Sequence, residues 1–318
     1  MTPPSPAARR RETQGLALGL LGVLIFSMTL PMTRLAVGPA SDPQLPPFFV
    51  TAGRAACAGL LAAVYLLVVR APRPGPEHRL ALAVSALGTV VGFPLLLALA
   101  LRRVDAMHAA VITGVLPLGT AIAAAIFFRQ RPSIGFWACA AVGCALVLAF
   151  AAQSGSGLRW ADGLLLLAVV SASIGYVAGA HLSRQWRAEH VICWVLVISM
   201  PFTLPLAAWT WPAQPVRTGA WVGFGYVTLF SMWLGFFAWY RGLALGGTLR
   251  VSQVQLVQPF LSLLFAVPVL GERLSASTVL FSLAVIATVF VGRKMPTHSP
   301  VPASPPVTSP VTSSRKSA

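Results

Sequence analysis

Ser252, Gln255, Pro259 and Ser262 recur at i, i+3, i+7 and i+10 within Gly247 to Ser275, a stretch that is otherwise mostly apolar. On a helix this spacing makes one stripe. Amides and hydroxyls can hydrogen-bond a polar solute without carrying charge, and Gln258, three residues after Gln255, adds a second amide. Facing hydrocarbon these groups would lose their hydrogen bonds at a cost of several kcal/mol, so the stripe is expected to line a cavity. The competing expectation is helix-to-helix bonding, which contributes only ~0.6 to 2 kcal/mol in a membrane.

Arg54 is the one basic residue well inside an apolar run. A charge there is costly and points to an anionic group on a bound solute or to a partner side chain, unless the long side chain snorkels outward. Trp233 is the deepest indole in the most aromatic part of the chain, among Phe230, Phe236 and Phe237, and could form the apolar wall of a binding cavity. Trp239 and Tyr240, closer to the end of that run, are expected in an interfacial belt.

Chemistry of other kinds is missing. There is no HExxH, Ser156 in Gly155-Ser156-Gly157 lacks a histidine base, and Cys57, Cys139, Cys144 and Cys193 lie in apolar segments without CxxC or Cys/His ligand spacing. No enzymatic activity, metal or cofactor is expected. The seven acidic residues, Glu12, Asp42, Glu77, Asp105, Asp162, Glu189 and Glu272, all fall in a tail, a connection or the end of an apolar run. His108 and His181 lie near such ends as well. A carboxylate proton relay needs a titratable group at mid-depth, so facilitated diffusion or exchange is the simpler expectation.

The elements that must position these residues are membrane spans. The chain is 57% hydrophobic and 9% charged, with a mean hydropathy of +0.79 over 318 residues. Its net charge of +16 does not indicate nucleic acid, because the basic residues sit between apolar runs. At ~20 residues per span, ten segments emerge, at 16–37, 47–69, 80–101, 105–128, 133–152, 161–182, 190–210, 218–240, 247–270 and 275–292. The predicted fold is an all-α membrane protein of ten transmembrane helices in two five-helix halves, 16–152 and 161–293, joined by a link at 153–160. A basic tail at 1–15 precedes them, and a Pro/Ser/Thr-rich tail at 294–318, with the composition of a disordered segment, follows.

The halves are related. A shift of 142 residues places Leu101 under Leu243, Pro117 under Pro259, Arg131 under Arg273 and Ser133 under Ser275. Thr113 then falls under Gln255 and Thr120 under Ser262, although threonines in helices often bond their own preceding carbonyls. The matched Pro117 and Pro259 each remove a mid-helix donor and permit a bend, which favours a mechanical or gating role. Because five is odd, the repeat must be inverted in topology. With a cytoplasmic N-terminus, sixteen Arg and Lys lie inside and six outside, so both termini are expected in the cytoplasm.

Two five-span halves, each closing with a proline-containing helix and a short charged turn, resemble the EamA family of the drug/metabolite transporter superfamily. Pro259 through Val269-Leu270-Gly271-Glu272-Arg273-Leu274 is similar to that family's "P…LGE" signature. In the first half the matching turn carries Gln130 in place of the glutamate, and the Trp-Gly of the family's first span is Phe26-Ser27. Arg54, Arg34, and Asp162-Gly163 followed by Tyr176 also resemble family positions. The resemblance implies a basket of ten helices around a central cavity that moves small organic metabolites, such as amino acids or drugs, by alternating access. A lipid or sugar-lipid flippase is the other activity it implies. The expected partners are the solute and membrane lipids in the cell membrane, with monomer and homodimer both open.

Overall fold

The computed structural model describes residues 6–127, 131–153, 159–183, 185–246, 254–294 and 297–298. Ser252, Gln130, the link at 154–158 and most of the two tails lie outside the described residues.

The first apolar stretch is α1 (Pro6–Ser27) continued by α2 (Thr29–Val37), and the second is α3 (Pro47–Val68). The third runs through α4 (Arg79–Ser85), a π-helical turn (Ala86–Gly92) and α5 (Phe93–Ala100), and the fourth through α6 (Ala106–Thr113) and α7 (Leu116–Phe127). Next come α8 (Ile134–Gln153), α9 (Trp160–Leu182) and α10 (Ala188–Trp209). The eighth stretch repeats the plan of the third, with α11 (Thr218–Tyr226), a π-helical turn (Val227–Leu234) and α12 (Gly235–Gly246). A 3₁₀ turn (Gln255–Val257) leads into α13 (Gln258–Leu270), and α14 (Ala276–Lys294) is the tenth stretch. Seven of these stretches are long and apolar enough to cross a membrane, and three, Ile134–Phe150, Gln255–Leu270 and Ala276–Val291, are shorter. The protein is therefore a multi-pass, all-helical membrane protein. Its one extended pairing among the described residues joins Arg131–Pro132 to Thr297–His298.

Proline sets where the helices break. A prolyl nitrogen cannot bond the carbonyl four residues back, so Pro117 and Pro259 interrupt the ladder at Thr113 and Gln255, where α6 ends and the 3₁₀ turn begins. These breaks agree under the 142-residue shift, and so do the π-helical turns, since residue 86 maps onto 228. Pro31 likewise cannot bond the Ser27 carbonyl, and the α1–α2 break falls at Met28.

Packing follows the same repeat. α3 lies on α10, α6 on α13, and α8 on α14. The first stretch packs along the eighth, and the third along α9. Exchanging the halves, first stretch for sixth, second for seventh and so on, carries each pair into itself or into the other. Glycine permits the closest approaches. A Cβ on Gly88 would fall 2.6 Å from the Gly175 Cα, and one on Gly242 would fall 2.7 Å from the Gly19 amide nitrogen. Small residues at such crossings let dispersion act between backbones where water cannot drive association.

At one end of the bundle the connections are cross-linked. Glu272 accepts hydrogen bonds from the Ala106 and Met107 amides at 2.8 Å each and so caps α6. The preceding Gly271 closes α13 at φ +69°, a left-handed cap that glycine adopts freely. Asp162 accepts from the Arg159 amide at 2.9 Å and meets His108 Nε2 at 2.7 Å, while Arg34 reaches Asp105 at 3.4 Å and the Leu101 carbonyl.

Candidate functional site

The helix breaks and π-helical turns converge on a cavity between the halves. The first half contributes Phe26, Thr29, Arg54, Thr89, Phe93, Thr113 and Pro117, and the second Tyr176, Ser231, Phe236, Gln255, Gln258, Pro259 and Ser262. It leaves about 50 Å³ to the centres of water-sized molecules. One water needs roughly 10–15 Å³ on that measure, so a few waters or a small solute group fit.

Its polar groups are unevenly satisfied. Arg54 is only 3% exposed, and its Nη2 donates to the Ser231 hydroxyl over 3.4 Å, while its Nε has no acceptor among the described residues. Ser231 is shared with the Thr29 hydroxyl at 2.8 Å. Thr113 and Thr89 turn back on the Ala109 and Ser85 carbonyls, at 2.7 Å each. Ser262 donates to the Ser27 carbonyl at 2.8 Å, the acceptor that Pro31 leaves without its helical amide, which ties α13 to α1. Gln255 is buried, and the Gln258 Oε1 has no partner among the described residues. Phe26 and Phe236, 5.1 Å apart edge to face, form the apolar side, with Tyr176 6.3 Å from Phe236.

Of the residues singled out from sequence, Arg54, Gln255, Gln258, Thr113, Pro117 and Pro259 come together here. Ser252 lies outside the described residues. Trp233 does not line the cavity and packs on Phe237 at 5.4 Å. It sits in a π-helical turn two residues after Ser231, and a two-residue step turns a side chain to nearly the opposite side of a helix from the cavity-lining Ser231. Trp239 and Tyr240 are buried among helices, 4% and 2% exposed, where a belt was expected. Trp239 lies against Gly22 of α1, whose missing side chain makes the room. Arg54 does not snorkel.

Phe236 belongs to the aromatic group that the sequence offers as an apolar wall, whereas Thr29, Thr89, Ser231, Phe26 and Phe93 are not singled out by the sequence as cavity residues. The repeat carried a usable signal for one pair, because the 142-residue shift places Thr89 under Ser231.

Residues 13–151 and 159–292 each match the EamA-like transporter family. The chain belongs to that family. A protein of Bacillus subtilis (strain 168) described as "Uncharacterized transporter YdeK" is 43% identical over 287 residues, 89% of this chain and 98% of the relative. A solved crystal structure shares the fold at a TM-score of 0.59 and 17% identity, covering 88% of this chain and 96% of that one. The protein is thus a membrane transporter of the EamA-like family, and its cavity lies where the two family repeats meet.

Proposed function

We propose that this transporter carries small organic metabolites across the cell membrane by alternating access, with the cavity between the repeats as the solute site. Ten crossings in two inverted halves, both termini cytoplasmic, complete the reading. The observation that carries it is the cavity, lined from both repeats by Arg54, Gln255 and Gln258 and flanked by helix breaks at Pro117 and Pro259. Half-helix ends and interrupted helices around a midplane site are the common construction of secondary carriers. The matched breaks give the two halves equivalent bending points, as rocking about a fixed site requires. Seven of the ten stretches contribute to the lining. An enclosure of that kind favours a solute carrier over a lipid or sugar-lipid flippase, whose cavity must open sideways to lipid.

Among the described residues the lining contains no Asp, Glu or His, so facilitated diffusion or exchange is the mechanism proposed. The test is uptake and export by vesicles containing the purified protein, screened with amino acids, nucleosides, organic acids and cationic drugs. At least one class should equilibrate faster than in empty vesicles and exchange against its own kind. Absence of protein-dependent flux for the whole panel would count against the transport reading. Accumulation driven by a pH difference alone would overturn the facilitated mechanism.

A further inference from the structure

We infer that the cavity selects a small organic anion, a carboxylate head on an apolar body, over the matching amide, amine or zwitterion. This rests on the transport reading and names the substrate class of the same site.

Among the described residues, seventeen line the cavity, and Arg54 is the only charged one. Its guanidinium has five donors in a planar fork that matches a carboxylate edge to edge. Among the described residues it makes one long bond to a side chain, 3.4 Å to Ser231, and Nε, buried with the rest of the residue, has no acceptor there. Among the described residues no Asp or Glu forms an ion pair with it. Three carboxylates of the cross-linked end are engaged elsewhere: Glu272 holds the α6 amides, Asp105 faces Arg34, and Asp162 meets His108.

A buried, unpaired guanidinium is destabilising, and an incoming carboxylate relieves it through charge-assisted, two-point hydrogen bonds. Among the described residues, the same site has no carboxylate to neutralise an ammonium. Its remaining polar groups are neutral amides and hydroxyls, and Thr29, Thr89, Thr113 and Ser262 already use their hydroxyls within the protein. A zwitterion would bring one matched and one unmatched charge out of water. The body of the solute meets Phe26, Phe93 and Phe236, which favour an alkyl or aryl group. The unpartnered Gln258 Oε1 can accept from a hydroxyl on that body.

The test compares heads on two fixed bodies. Phenylacetate, phenylacetamide, phenethylamine and phenylalanine form one set; isovalerate, isovaleramide, isopentylamine and leucine form the other. Purified full-length protein in detergent is titrated with each, and the shift in melting temperature is read. At least one acid should act at tenfold lower concentration than its amide, amine and zwitterion. Arg54→Gln should remove that preference and Arg54→Lys should reduce it, while Trp233→Phe, outside the cavity, should keep it. If neither acid outperforms its neutral and cationic counterparts, or if Arg54→Gln retains the preference, the inference is overturned. Vesicle flux separates the two levels of the reading: movement of amines or zwitterions but no organic acid defeats the anion assignment and leaves transport standing.

Discussion

Gln255 combines burial, a place beside a helix break and a neutral side chain with two donors and an acceptor. Its backbone carbonyl is the one that Pro259 cannot engage through an i+4 amide, and the Gln258 amide reaches it instead, giving the 3₁₀ turn. The residue thus joins the bend of the ninth stretch to the polar lining. Gln255→Leu preserves bulk and removes hydrogen bonding, so solute binding should weaken by about 1 kcal/mol, roughly fivefold. Transport by the variant should fall by a similar factor at low solute concentration, with membrane yield unchanged. Unaltered flux in vesicles of equal protein content would make Gln255 structural. Arg54 stands out in sequence because a charge in an apolar run has few harmless explanations. For Trp233, depth is legible in the sequence, while the face it presents inside a π-helical turn is not. Periodicity arguments assume 3.6 residues per turn, and nothing in Val227–Leu234 announces a wider one.

Between elements, the Glu272 cap is the clearest mechanical link, because the turn after α13 holds the first amides of α6 and so fastens the ninth stretch to the fourth. Burial pushes the Glu272 carboxyl above its ordinary value of 4.5, and the Met107 and Ala106 amides draw it partly back. The sign of the pH effect follows from the net rise. A carboxyl whose folded pKa is raised binds its proton more tightly folded than unfolded, so stability increases as pH falls from the raised value through the ordinary one. Glu272→Gln keeps one acceptor and loses the titration. Wild type should therefore gain melting temperature relative to Glu272→Gln on acidification from pH 7.5 to 4.5. A relative loss would mean that the amides outweigh burial. Glu272→Ala leaves both amides unserved and should lower stability by about 1 kcal/mol. The glutamate and its glycine are legible as a helix end, but the second helix that Glu272 caps, whose first residue Ala106 lies 166 residues earlier in the chain, is a tertiary fact. Trp239 and Tyr240 fail for the same reason, since nearness to a helix end reads as a belt until Gly22 is seen to admit them.

At the scale of the whole molecule, the repeat makes a prediction that no single helix makes. The packing of α3 on α10, α6 on α13 and α8 on α14 is unchanged when the halves are exchanged, and the proline breaks and π-helical turns coincide under the same shift. If each half crosses five times, the connection between the halves must lie on the opposite side of the membrane from both termini. With ten crossings, sixteen basic residues would lie on the side of the termini and six on the other, and that excess sets the expected direction. A single cysteine can report each location once Cys57, Cys139, Cys144 and Cys193, all free thiols, are replaced. Ser156→Cys, in the link, should react with a membrane-impermeant maleimide on intact cells. Ser299→Cys, in the C-terminal tail, should react only after the cells are opened. Labelling of both from outside, or of neither, would mean an even number of crossings in the second half and no inverted repeat. Reversal of the two results would keep the inversion and overturn the charge-based orientation. The three shorter helices, Ile134–Phe150, Gln255–Leu270 and Ala276–Val291, decide the outcome, because one lies in the first half and two in the second. Failure of one of those two to cross would put the link and the C-terminus on the same side.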